Sequence, residues 1–216
     1  SSNFVIDRKP MSDATITVSI DSTFNTSISY NNGNLITVPV DKIIVKDGED
    51  VLTADDYTVS GNTESLPGDY KIYVTGKGNY IGVATDKPAW KIIKADMTVS
   101  APDVVVTFDD EDHGISVNSS APNATVLFSE TRGNYTLTES PTIHNVSESG
   151  KVVYYEIKAF GYKEYYGSAT ISINKATWDT PEKPVLDEAT TNSITLDAIT
   201  NGEYCINDGE WHEWQE

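Results

Sequence analysis

A single cysteine, Cys205, in 216 residues leaves no partner for an intrachain disulfide. The small disulfide-stapled class of secreted domain is therefore excluded, and packing must hold the chain together. Basic residues are also scarce, 15 Lys and Arg against 33 Asp and Glu, for a formal charge of -18. A surface so negative repels phosphate backbones and anionic headgroups, so nucleic acid is not an expected partner. No run approaches the roughly 18 apolar residues of a membrane-spanning helix, and no membrane insertion by these residues is expected. Ser1-Ser2-Asn3 is no signal peptide; targeting and anchoring segments are expected outside these residues. Leucine is sparse, and helix-forming residues seldom come in runs. The catalytic signatures HExxH and GxSxG are missing, the three histidines are isolated from one another, and no cofactor motif occurs.

Valine, isoleucine, threonine and tyrosine dominate instead, in short alternating stretches broken by turn-forming Asn-Gly, Asp-Gly and Pro-Gly pairs. That composition is all-β. In the N-terminal part strands are expected near Thr15–Ile20, Leu35–Val38, Lys42–Lys46, Tyr57–Ser60, Tyr70–Thr75 and Ile81–Ile93. The following part repeats the plan, with strands near Met97–Ser100, Val104–Phe108, Ile115–Asn118, Thr125–Ser129, Thr142–His144, Val152–Phe160 and Gly167–Ile173. Each part closes on a hairpin-like stretch, Gly68 to Lys94-Ala95 in one and Gly150 to Lys175-Ala176 in the other. Alternation places Tyr70, Ile72 and Val74 on one buried face, and Val152, Tyr154 and Glu156 on another. The expectation is tandem immunoglobulin-like β-sandwiches: one module at 1–95, a second at 96–176, and a short incomplete β module at 177–216. The junctions are too short for flexible tethers, so neighbouring modules should touch. The last segment carries ten acidic side chains and one basic. At about 40 residues it is expected to be incomplete or docked on the second module.

Few residues suggest chemistry. Asp109-Asp110-Glu111-Asp112-His113 is the densest group of oxygen ligands, and Asp109, Asp110 and Asp112 are the metal candidates, set against a plain solvated turn. Tyr162, Tyr165 and Tyr166 fall at a hairpin tip and, with Trp211 and Trp214, are candidates for an aromatic platform on which sugar rings could stack. Strand-forming tyrosines and core tryptophans are the ordinary alternative. Cys205 reads as an inert thiol within a strand.

The order of motifs resembles repeat modules of Gram-positive bacterial cell-surface proteins of the immunoglobulin-like MBG and YDG types. It is carried by Val45-Lys46-Asp47-Gly48, Asp56-Tyr57-Thr58-Val59-Ser60 and Val74-Thr75-Gly76-Lys77-Gly78-Asn79-Tyr80. In the second module it is carried by His113-Gly114-Ile115-Ser116-Val117 and Ile173-Asn174-Lys175-Ala176. The final segment is similar to the start of a fibronectin-III-like repeat, through Ser193-Ile194-Thr195-Leu196 and Glu203 to Gly209 with Trp211. The resemblance implies an extracellular, cell-surface or wall-attached, non-enzymatic stalk module that spaces or presents a binding domain. Its expected partners are the neighbouring repeats of the same chain, and it is expected to be monomeric. Two alternatives are an adhesin contacting host glycan or extracellular protein, and an accessory module of an extracellular glycan-active enzyme.

Overall fold

The computed structural model describes residues 7–177, 186–190, 192, 194–196, 203–204 and 212–213. Strands in several small sheets supply the regular structure; the only helical elements among the described residues are the single 3-10 turns Val40–Lys42 and Val146–Glu148. None of the described helices is long and apolar enough to cross a membrane. The chain is all-β and divides into two compact units, 1–175 and 176–216.

Within the first unit, apolar side chains gather in two clusters with no residue in common. One runs from Met11 to Ile92 around Val38, Val45, Ile72 and Trp90; the other runs from Met97 to Ile173 around Val153, Ile157 and Ile171. Period-two alternation builds the first. In Ala89–Ile93, Trp90 and Ile92 turn inward while Ala89, Lys91 and Ile93 turn out, each buried apolar side chain contributing about 1.5–3 kcal/mol. The Trp90 indole N–H is satisfied by donating to the Gly61 carbonyl at 2.9 Å. Gly61 has φ +73°, and a Cβ there would run into the Lys71 carbonyl, so the turn that presents this acceptor requires glycine.

One succession of pairings occurs in both halves. Ala89–Ile93 pairs parallel with Ser27–Ser29 and antiparallel with Gly68–Lys71. After Ile72 the chain resumes as Tyr73–Gly76, which pairs antiparallel with Tyr57–Ser60. In the second half Tyr165–Asn174 pairs parallel with Val104–Thr107 and antiparallel with Lys151–Lys158, which in turn pairs with Thr125–Ser129. A second sheet in the first half joins Ile16–Ile20, Ile43–Asp47 and Asp50–Val51. Shorter pairs complete the unit, among them Lys9–Pro10 parallel to Tyr80–Ile81, and His113–Gly114 against Thr142–Ile143. In the second unit Leu186–Ala189 pairs with Ile194–Leu196, and Glu203–Tyr204 with His212–Glu213. Cys205, Trp211 and Trp214 lie outside the described residues.

Three expectations need correction. The stretch Ile81–Ile93 is two strands, Tyr80–Ile81 and Ala89–Ile93, because Gly82 takes φ +83° and Pro88, which has no N–H for a ladder, lies just before the second. Of Ile115–Asn118 only Asn118 lies in a strand; pairing falls on either side of Ile115–Val117, at His113–Gly114 and Asn118–Ser119. The inward face of Lys151–Lys158 carries Val153, Tyr155 and Ile157, and Val152 is exposed. Glu156 is nonetheless buried, because Lys158 Nζ reaches its carboxylate at 2.7 Å.

Candidate functional site

The two halves touch where the two clusters meet. The backbone forms it first: the Ala95 N–H donates to the Gly161 carbonyl and the Lys163 N–H donates to the Ala95 carbonyl, both at 2.9 Å. These bonds clip the end of the first half to the 159–163 turn of the second. Tyr30, held beside the last strand by its N–H donating to the Ile93 carbonyl at 2.8 Å, fills the space between. Its ring meets Tyr162 edge-on at 5.7 Å and Phe160 edge-on at 5.9 Å. Such pairs add about 0.5–1.5 kcal/mol each beyond area burial. Gly161, at φ +80°, abuts that ring, and a Cβ there would penetrate Cδ1, Cε1 and Cζ of Tyr30. An exposed ion pair, Lys163 Nζ to Asp96 Oδ1 at 2.8 Å, adds little at such exposure. On one flank the packing is open, leaving a groove of about 230 Å³ between Lys94, Asn123, Lys158, Phe160 and Glu164.

The structure does not bring the three candidate tyrosines together. Tyr162 is half-buried and committed to Tyr30. Tyr165 and Tyr166 are successive residues of one strand and so project to opposite faces. Tyr165 stacks on the buried Tyr155, centroids 6.4 Å apart and planes 13° from parallel. Tyr166, 52% exposed, leans on Tyr135 and donates its hydroxyl to Glu164 Oε2 at 2.7 Å. That bond, with Glu156 beside it, holds the Tyr166 phenol well above the usual range. Of the expected platform of Tyr162, Tyr165, Tyr166, Trp211 and Trp214, the described residues thus show Tyr165 and Tyr166 as two separate, partly exposed rings.

The acidic turn is likewise divided. Asp109 Oδ1 sits 2.8 Å from His113 Nε2, a contact that holds its carboxyl below the ordinary value. Asp110 and Asp112 face the two ring nitrogens of His144, at 3.3 and 3.2 Å. Each carboxylate is turned to an imidazole rather than to a common centre. Among the described residues no three His, Cys, Asp or Glu side chains converge as metal ligands would.

A third polar cluster holds Lys9 in place. Lys9 Nζ donates to both oxygens of Asp47, at 2.7 and 2.8 Å, and to Thr15 Oγ1 at 2.9 Å. The Tyr80 hydroxyl donates to Asp47 Oδ2 at 3.2 Å. These bonds depress the Asp47 carboxyl and raise the Lys9 ammonium, the signature of a satisfied ion pair rather than of a poised acid or base.

No protein-family model and no curated protein matches the chain. The residues of the joint, Tyr30, Phe160 and Gly161, were missed by sequence reasoning. Gly161 stands out there only as a hairpin landmark, and nothing around Tyr30 in Ser29-Tyr30-Asn31 announces a long-range contact.

Proposed function

We propose that this chain is a non-catalytic structural module in which two immunoglobulin-like sandwiches are coupled end to end as one stiff element, the arrangement expected of a stalk on a bacterial cell surface. The observation that carries this reading is the joint: two backbone hydrogen bonds through Ala95 and an aromatic wedge, Tyr30, seated over a glycine that leaves it room. A flexible string of domains has no need of either. The pairing order common to both halves supports reading them as two copies of one sandwich plan. Polar clusters whose members are paired with each other, rather than left poised in a cleft, fit a structural role better than catalysis. A stalk transmits position, so its functional quantity is the angle between modules.

Pulsed dipolar spectroscopy tests this, with spin labels at exposed Val51 and exposed Arg132. A narrow distance distribution, broadened by Tyr30→Ala, is the expected result. A distribution equally broad in both proteins contradicts the reading. The adhesin alternative now rests on Tyr165 and Tyr166 without Tyr162, and a glycan array comparing wild type with Tyr165→Ala/Tyr166→Ala would sustain it only through binding that the variant loses.

A further inference from the structure

The two halves share a pairing scheme but finish one edge of it differently. In each, an early strand lies parallel to the last strand and closes that sheet among the described residues: Ser27–Ser29 in the first half, Val104–Thr107 in the second. In a strand, alternate backbone groups turn to opposite sides. The Phe108 N–H donates to the Asn174 carbonyl, so Val104, Val106 and Phe108 turn toward the inner ladder while Val105 and Thr107 present N–H and C=O groups outward. By the same reasoning the Lys91 bond to the Thr26 carbonyl and the Tyr30 bond to the Ile93 carbonyl turn Ser27 and Ser29 outward.

The first edge is guarded. Its outward Ser27 N–H is taken by the Asn25 side-chain oxygen at 2.9 Å, and its one exposed residue is Ser29. The second edge has no such cap. Among the described residues the outward groups of Val105 and Thr107 have no backbone partner, and the Val105 side chain is 65% exposed. The three successive valines include no Pro, Lys or bulge of the kind that blunts an edge. Acids bracket it instead, Asp103 on one side and Asp109 to Asp112 on the other, all exposed.

We infer that the Val104–Thr107 edge is a strand-addition site for an extended peptide that carries apolar side chains at alternate positions and lysine or arginine at both ends. Ladder hydrogen bonds to Val105 and Thr107 supply sequence-independent affinity, and the acidic brackets choose the partner. A second copy of this chain fits poorly. In either strand direction, edge-to-edge pairing sets acid against acid, on top of a charge of -18 per chain. The inference is independent of the stalk reading, since a stiff pair of modules can exist with or without an occupant on this edge.

The test uses the full chain and two synthetic peptides with one Val-Thr-Val-Thr-Val core, flanked by Lys-Lys or by Glu-Glu, followed by NMR titration of the Val105 and Thr107 amides. The basic peptide is expected to shift and protect these two amides, with affinity falling as salt is raised; the acidic peptide is expected to leave them unmoved. Val105→Pro removes an outward donor without touching the inner ladder and is expected to weaken binding about tenfold. Val105→Lys keeps the backbone intact, sets a like charge against the basic peptide and blunts the edge, so it should weaken binding as well, which keeps the test open if the proline variant fails to fold. The inference is overturned if both peptides bind alike or neither binds. It is equally overturned if a natively folded variant binds as well as wild type, if the chain dimerises through this edge, or if the Val105 and Thr107 amides are already protected in the free protein.

Discussion

Replacing Gly161 by alanine should open the joint, and the cost divides into two parts that can be measured separately. The backbone part arises because φ is +80°, where an L side chain is disfavoured by about 1–2 kcal/mol. The contact part arises because the new Cβ cannot coexist with the Tyr30 ring. Tyr30 must swing away and lose both edge-on partners, Phe160 and Tyr162, worth about 1–3 kcal/mol together. Gly161→Ala alone should therefore cost about 2–5 kcal/mol of local stability. With Tyr30 already replaced by alanine there is no ring to strike, and the same substitution should cost only the backbone part, about 1–2 kcal/mol. The double-mutant cycle should then show a coupling of about 1–3 kcal/mol. Native-state amide hydrogen exchange is the assay, read at Ile171 and Ile173 in the adjoining strand and at Ile92 across the joint. Equal costs of Gly161→Ala in both backgrounds would refute the claim that Tyr30 is seated on that glycine.

Acid should weaken the first half over a defined window. Thr23 and Lys42 hold Asp21 near a pKa of about 2, and hydrogen bonds depress Asp13 and Asp47. Carboxyls with depressed folded values give stability that is complete above the unfolded value of about 3.9 and is lost as pH falls through the folded values. Thermal melts from pH 5 to pH 2 should fall in that window, and Asp21→Asn should flatten the fall; an identical slope in the variant would contradict this. Ile171→Ala, at a fully buried position, should cost about 2–5 kcal/mol by urea denaturation, against under 1 kcal/mol expected for Val105→Thr at the exposed edge, roughly the surface range. Gly167→Ala puts a Cβ against the Tyr155 hydroxyl and ring and should cost about 1–3 kcal/mol while perturbing the Tyr165 ring signals by NMR, since the two rings are stacked.

Strand positions were legible where turn chemistry bounds a short run rich in apolar residues. Tyr57–Ser60 and Thr125–Ser129 fall where the pattern places them, and Ile72 and Val74 are buried as their alternation requires. Parity failed in Lys151–Lys158 because Val152-Val153-Tyr154-Tyr155 is apolar on both faces, so alternation could not say which side turns inward. Ser27–Ser29 was invisible for the opposite reason: Thr-Ser-Ile-Ser is too polar to signal a strand, and it forms because the last strand offers it a parallel partner. The side-chain partners at the joint escaped sequence reasoning because Tyr30 and Tyr162 are far apart in the chain, and no local period encodes a contact at that separation. The acidic turn was visible as a cluster of ligands, yet its two histidine partners arrive through the turn itself and through the Thr142–Ile143 pairing, which only the fold supplies.

The most direct measurement of the coupled-module account is ¹⁵N relaxation of the full chain, with tumbling times fitted separately for residues 7–93 and 97–174. One common rotational diffusion tensor for both sets is the predicted result, giving way to two independent tumbling times in Tyr30→Ala. Independent tumbling in the wild type would contradict the account.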